Sequence, residues 1–145
     1  MKKMTLIWLW TGLFTGTLLI SNAAGAHAGG FAQTCVNVYV QNLYEKTELY
    51  ASCKSKAGGY KDTSINLDPW IGNDHGNLVW CDGGRNYGNY FSRNCGYMSL
   101  SNDNKILHAK CQKYVDGKRL MNDTSIDLNA KITNNDGVLV KDSRY

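Results

Sequence analysis

Asp62-Thr63-Ser64-Ile65-Asn66-Leu67 returns 61 residues later as Asp123-Thr124-Ser125-Ile126-Asp127-Leu128. Further along, Ile71, Asn73, Gly76, Leu78 and Val79 meet Ile132, Asn134, Gly137, Leu139 and Val140 at the same offset. Over 62–79 against 123–140, ten of eighteen positions are identical. Upstream the offset shortens slightly, as loop insertions produce. Leu49-x-Ala51-x-Cys53 matches Leu107-x-Ala109-x-Cys111 at 58, and Phe31-x-x-x-Cys35 matches Phe91-x-x-x-Cys95 at 60. The matches keep their order along both halves, so the chain is one structural unit built twice.

Within a half the hydrophobic period is two. Leu49, Ala51 and Cys53 alternate with Tyr50 and Ser52, and Val36, Val38 and Val40 alternate with Asn37 and Tyr39. The second half repeats this, with His108 and Lys110 between Leu107, Ala109 and Cys111. His75-Gly76 and Asp136-Gly137 precede short apolar runs, where the glycine suits a positive φ in a tight turn. No long stretch has helical period. A single helical turn is expected near Asp68-Pro69-Trp70-Ile71, with Pro69 in its first positions. The fold class read from these patterns is all-β, with short strands, hairpins and a few 3₁₀ turns.

The repeat also bears on the five cysteines. Five is odd, and one unpaired residue with three pairings of the rest leaves fifteen arrangements. Cys35 and Cys53 hold the same places in the first half as Cys95 and Cys111 in the second. Pairing within each half gives Cys35–Cys53 and Cys95–Cys111 and leaves Cys81 unpaired. Each bridge is worth about 3 kcal/mol in the chain-entropy model. Staples of that size matter in a domain this small.

Disulfides presuppose an oxidising compartment, and the N-terminus agrees. Lys2 and Lys3 lead an apolar run from Met4 to Ile20, and a small-residue stretch ends Ala26-His27-Ala28. This order reads as a signal peptide over 1–28 with an A-x-A cleavage site. As a transmembrane anchor the run is short. Export would place the protein outside the cell or in a periplasm. Removing 1–28 from the 145 residues leaves 117, one modest domain over 29–145, with repeats at about 30–81 and 90–141 and a connector at 82–89. Fourteen basic against twelve acidic residues then remain, a net charge of +2. That balance lacks the basic face of a nucleic-acid binder and the polybasic cluster of a membrane-surface sensor.

Enzyme chemistry finds little footing. Cys81 is the one candidate thiol nucleophile, with His75 or His108 as its base. His108 shares the strand parity of Tyr50 and should face solvent, and His75 belongs to a turn. The acids are mostly Asp beside Asn, Gly or Ser, which is turn chemistry rather than the facing pair of a glycosidase. No C-x-x-C supports zinc, and Asn134-Asn135-Asp136-Gly137 lacks the acidic spacing of a calcium loop. The expectation is a protein without catalytic residues, metal or cofactor. Its surface is rich in Asn, Asp, Gln, Ser, Thr and Tyr, a donor and acceptor inventory matched to vicinal sugar hydroxyls.

Phe31-Ala32-Gln33-Thr34-Cys35, Gly58-Gly59-Tyr60, Ser64-Ile65-Asn66-Leu67 and Asn73-Asp74-His75-Gly76-Asn77-Leu78-Val79-Trp80 together resemble the cyanovirin-N homologue family. The second copy, from Phe91 through Asn134-Asn135-Asp136-Gly137-Val138-Leu139, carries the same likeness, which covers nearly all of 30–141. It implies two pseudo-symmetric halves, each a three-stranded sheet plus a β-hairpin, with strands exchanged across the sequence repeat. It further implies a metal-free, non-enzymatic lectin whose best-studied relatives recognise α1,2-linked mannose on high-mannose glycans.

Two sites follow from the resemblance, at opposite ends of the molecule. The first would use Gln33, Thr34, Lys54, Lys56, Asn134, Asn135 and Asp136. Lys54 and Lys56 stand where the family member compared has Glu and Thr. The second would use Gly72, Asn73, Asp74, His75, Tyr90, Arg93, Asn94, Gln112 and Tyr114. Arg93 replaces the usual Glu there, His75 replaces the hairpin Asp, and the connector is longer by about six residues. The expected partners are mannose-rich glycans or glycoproteins, bound reversibly, with no nucleic acid and no membrane insertion. The alternative is a secreted protein–protein interaction module that kept the scaffold and lost sugar binding. The protein would be a monomer, or a dimer through exchanged halves or a Cys81 disulfide. Asn122-Asp123-Thr124 is a glycosylation sequon if the host uses it.

Overall fold

A computed structural model describes residues 29–43, 46–81 and 90–142. The expected signal peptide and the 82–89 connector lie outside these residues. Strands β1 (Cys35–Leu43), β2 (Lys46–Lys54) and β3 (Tyr60–Asn66) form an antiparallel sheet, followed by the hairpin β4 (Ile71–Asp74) and β5 (Asn77–Trp80). The second half repeats this order. A single helical turn, α1 (Phe91–Asn94), leads into the sheet of β6 (Cys95–Leu100), β7 (Ile106–Val115) and β8 (Lys118–Asp127). The hairpin β9 (Ile132–Asn135) and β10 (Val138–Lys141) then closes the chain.

The period-two pattern is the burial pattern. Along β2, Thr47, Leu49, Ala51 and Cys53 are buried and their neighbours are not; along β7, Leu107, Ala109 and Cys111 repeat the arrangement. The core is therefore two-fold in composition. Phe31 and Phe91, Leu49 and Leu107, and Leu67 and Leu128 are each fully buried. Val38, Val40, Met98 and Leu100 pack on it from the inward faces of β1 and β6. Cys35 sits opposite Cys53 and Cys95 opposite Cys111 in the ladders, and each pair is bonded.

Each hairpin docks on the sheet of the other half. Leu78 N on β5 donates to Thr124 Oγ1 on β8 at 3.0 Å, and Leu139 N on β10 donates to Thr63 Oγ1 on β3 at 3.1 Å. The threonines belong to the repeated Asp-Thr-Ser-Ile, so one recurring motif supplies both docking acceptors. A second symmetric latch lies before each hairpin. Asp68 Oδ1 accepts from Ser92 N at 3.1 Å, and Asn129 Oδ1 accepts from Ala32 N at 3.0 Å. Asp68 is 2% exposed and also accepts from Thr47 N at 2.7 Å, so its buried carboxylate is hydrogen-bonded through both oxygens.

One expectation is met and one changes. The stretch after Leu67 makes one turn, with Trp70 N and Ile71 N both on Leu67 O, before entering β4. Its counterpart Leu128–Ala130 is 3₁₀, as is Phe31–Gln33. Cys81 is unpaired but only 1% exposed, so its thiol is not presented to a second chain in this conformation. The same burial removes it as a nucleophile, and His75 and His108 are both exposed elsewhere.

Candidate functional site

The two hairpin tips are built alike. His75-Gly76 and Asp136-Gly137 all have positive φ, the pairwise requirement of a type I′ turn. Asn73 Oδ1 accepts from Gly76 N at 2.8 Å and Asn134 Oδ1 accepts from Gly137 N at 2.7 Å, so an asparagine side chain closes each turn. Its other end reaches across the halves. Asn73 Nδ2 donates to Gln112 O at 2.8 Å, and Asn134 Nδ2 donates to Lys54 O at 2.8 Å and to Thr34 Oγ1 at 3.0 Å. The repeated Asn thus ties a tip to the partner sheet and leaves the next two side chains in solvent.

The sequence-predicted residues of the first site come together around the β9–β10 tip. Thr34, Lys54 and Asn134 are joined by the bonds just given, and Gln33 is exposed in the preceding turn. Lys56 N donates to Asp136 Oδ1 at 2.7 Å. That backbone bond, helped by the charges of Lys61 and Lys56, holds the Asp136 carboxyl below its ordinary value. One carboxylate oxygen is therefore committed to the protein, and among the described residues none donates to Oδ2. Lys61 is an addition to the expected set. Its Nζ donates to Asp136 O at 3.1 Å, and its stem lies where a Cβ on Gly137 would fall. A signal was available, since Lys61 directly precedes the repeated Asp-Thr-Ser.

The second site is a cleft of about 380 Å³ lined by Asn73, Asp74, His75, Asn94, Gln112, Lys113 and Tyr114. Six of these seven were predicted, and the seventh is Lys113. Gly72, Tyr90 and Arg93, also expected there, are not among the lining residues; Gly72 is buried and bridges to Tyr90. The Arg93 guanidinium lies 5.3 Å from the Tyr90 ring centroid, a cation–π distance. His75 Nδ1 is 2.8 Å from Asp74 Oδ1. Lys113 Nζ donates to Asn122 Oδ1 at 3.1 Å, while Asn122 Nδ2 donates to Gly76 O at 3.0 Å. The sequon asparagine, on β8, thus holds the tip of the docked β4–β5 hairpin. Lys113 escaped the repeat argument because its counterpart is Ser55, a buried turn residue unlike it in size and charge.

Chemically, both tips offer amides, carboxylates, hydroxyls and ammonium groups on a stapled frame. Among the described residues no three His, Cys, Asp or Glu stand together as metal donors. Nor does any described helix have the length and apolarity to cross a membrane.

The chain is similar to several solved structures. A Gibberella zeae CVNH is 27% identical with a TM-score of 0.60, and the match spans 78% of this chain and 97% of that one. Microvirin, solved as a mannobiose complex, is 27% identical at a TM-score of 0.59, over 78% and 98%. A MoCVNH3 variant, solved with a four-residue N-acetylglucosamine oligomer, shares the fold at a TM-score of 0.64 and 21% identity, over 81% and 99%. The CVNH domain model itself matches residues 31–140. With its two sheets, exchanged hairpins and matched disulfides, this chain belongs to the CVNH family, the cyanovirin-N homologues.

Proposed function

We propose that the protein is a lectin that binds mannose-containing glycans reversibly and transforms nothing. The carrying observation is the cleft at the Asn73 tip. Its seven lining residues all bring polar groups, held by a turn that Asn73 itself closes. Membership of the family and 27% identity to microvirin, a protein solved with mannobiose, support a sugar as the occupant. α1,2-Linked mannose is the specific ligand in this reading. Amide and hydroxyl groups would replace the water held by adjacent sugar hydroxyls, while Asp74 and Asp136 accept charge-assisted bonds. A shallow site of this kind binds modestly, and two sites on one chain raise avidity for branched glycans.

Calorimetry with α1,2-mannobiose tests the reading directly. Saturable heat is expected, and Asp136→Ala should weaken the contribution of the first site. No heat with any mannose oligosaccharide sinks the sugar assignment. The rival protein-interaction role draws on one observation: Tyr114, Val115, Leu120 and Met121 leave an apolar, exposed tip on the β7–β8 hairpin. A glycan array without hits, beside a specific protein partner, would favour that role. Export through residues 1–28 belongs to the same proposal, and a secreted mass beginning at Gly29 is its expected result.

A further inference from the structure

The geometry points to a third saccharide site, separate from both hairpin tips, on the outer face of the first sheet. β1 and β2 pair at Val36–Ser52 and next at Tyr39–Tyr50, so β1 carries one extra residue, with Asn37 at a φ of 52°. This bulge borders a groove of about 500 Å³, within the range of small-ligand pockets, lined by Asn37, Tyr39, Tyr50, Ser52, Asp62 and Ser64 among others. The two tyrosine rings stack at 5.0 Å with their planes 7° apart, and Tyr39 keeps 53% of its surface in solvent. Beside them, Ser52 Oγ donates to Asp62 Oδ1 at 2.5 Å, and the Tyr50 hydroxyl donates to the Glu48 carboxylate. An apolar aromatic plate next to carboxylate, hydroxyl and amide groups fits one hexopyranose: its C–H face lies on Tyr39 and its hydroxyls bond the polar edge.

The second half contains the control. Its equivalent groove, about 370 Å³, places Ser99 and His108 where the tyrosines stand and Lys110 where Ser52 stands. Lys110 Nζ reaches Asp123 Oδ1 at 2.6 Å, so an ion pair ties up the carboxylate that Asp62 offers in the first. One scaffold copy holds a stacked tyrosine pair beside a hydroxyl-bonded carboxylate; the other has one unstacked tyrosine, Tyr97 at its bulge, and a long ammonium chain on its carboxylate. The charge also selects the ligand. Asp62 lines the open groove with its carboxylate held by a hydroxyl rather than by an ammonium group, which disfavours phosphate-bearing or other anionic ligands. The class is a neutral oligosaccharide.

Amide shifts of the labelled protein, titrated to roughly 10 mM with α1,2-mannobiose, cellotetraose or a chitin tetramer, test the assignment. Asn37, Tyr39, Ser52 and Ser64 should move with at least one of the three. Tyr39→Ala should weaken that response by roughly tenfold. Ser52→Lys, which copies the ion pair already tolerated in the second half, should abolish it without unfolding the sheet. The side-chain amides of Asn73 and Asn134 report the tip sites independently. Movement in the groove alone supports this site even if the tips stay silent. Silence in the groove with all three sugars, or an unchanged response in Ser52→Lys, overturns it.

Discussion

Asn134→Ala should cost more than Asn73→Ala, although the two residues are repeats of each other. Among the described residues, Asn134 makes three side-chain hydrogen bonds, to Gly137 N, Lys54 O and Thr34 Oγ1, whereas Asn73 makes two, to Gly76 N and Gln112 O. A net hydrogen bond is worth about 0.5–1.5 kcal/mol, and the edge position lets water recover part of it. The expected losses are about 2–2.5 kcal/mol for Asn134→Ala and about 1–1.5 kcal/mol for Asn73→Ala. With a urea slope of roughly 1–3 kcal/mol per molar, the first variant should lower the midpoint by roughly 1 M and the second by roughly half that. Urea unfolding followed by tryptophan fluorescence measures both, and the slope should not change. Equal losses, or a larger loss at Asn73, would refute the claim that these side chains stabilise through the bonds counted.

Four other outcomes follow. Asp136 has a depressed folded value, so its contribution to hairpin docking is full above the unfolded carboxylate pKa and is lost as pH falls through the lower folded one. A carboxyl-detected titration should place its midpoint below that of an unstructured Asp, and an ordinary midpoint would contradict the Lys56 bond. Asp103 should titrate at about 2, because the Ser101 hydroxyl and Lys105 stabilise its charged form. Replacing Cys95 and Cys111 together by serine should cost about 3 kcal/mol in the same urea assay, since the bridge spans 16 residues. Cys81, buried at 1% exposure, should react with a thiol reagent only on unfolding. Rapid modification of the native protein would contradict its placement.

Much of this architecture is legible because the chain states it twice. An isolated Asn73 is an ordinary turn residue, yet Asn73 and Asn134 at the same repeat position, each three residues before a glycine, mark a structural asparagine. Disulfide pairing became a single solution by the same logic, from fifteen. The hairpin exchange was legible only through family resemblance, because intrachain alternation does not say which sheet a hairpin covers. The bulges at Asn37 and Tyr97 were not legible at all: both take positive φ without glycine, held by the surrounding ladder rather than by local preference. The tyrosine stack depends on that bulge, since a regular ladder would set Tyr39 one place off Tyr50. Lys113 was hidden for a different reason, lying where the two halves diverge.

The exchanged hairpins have a consequence for how the chain may be divided. Each tip is carried by one half and tied to the other: Asn73 to Gln112, Asn134 to Lys54. A cut between Cys81 and Tyr90 would therefore give two fragments, neither owning a whole tip site. Mixed together, they would regain both sites at once, through the Leu78–Thr124 and Leu139–Thr63 bonds. The scaffold is in effect a natural split protein, in which sugar binding would report that two pieces of chain have met.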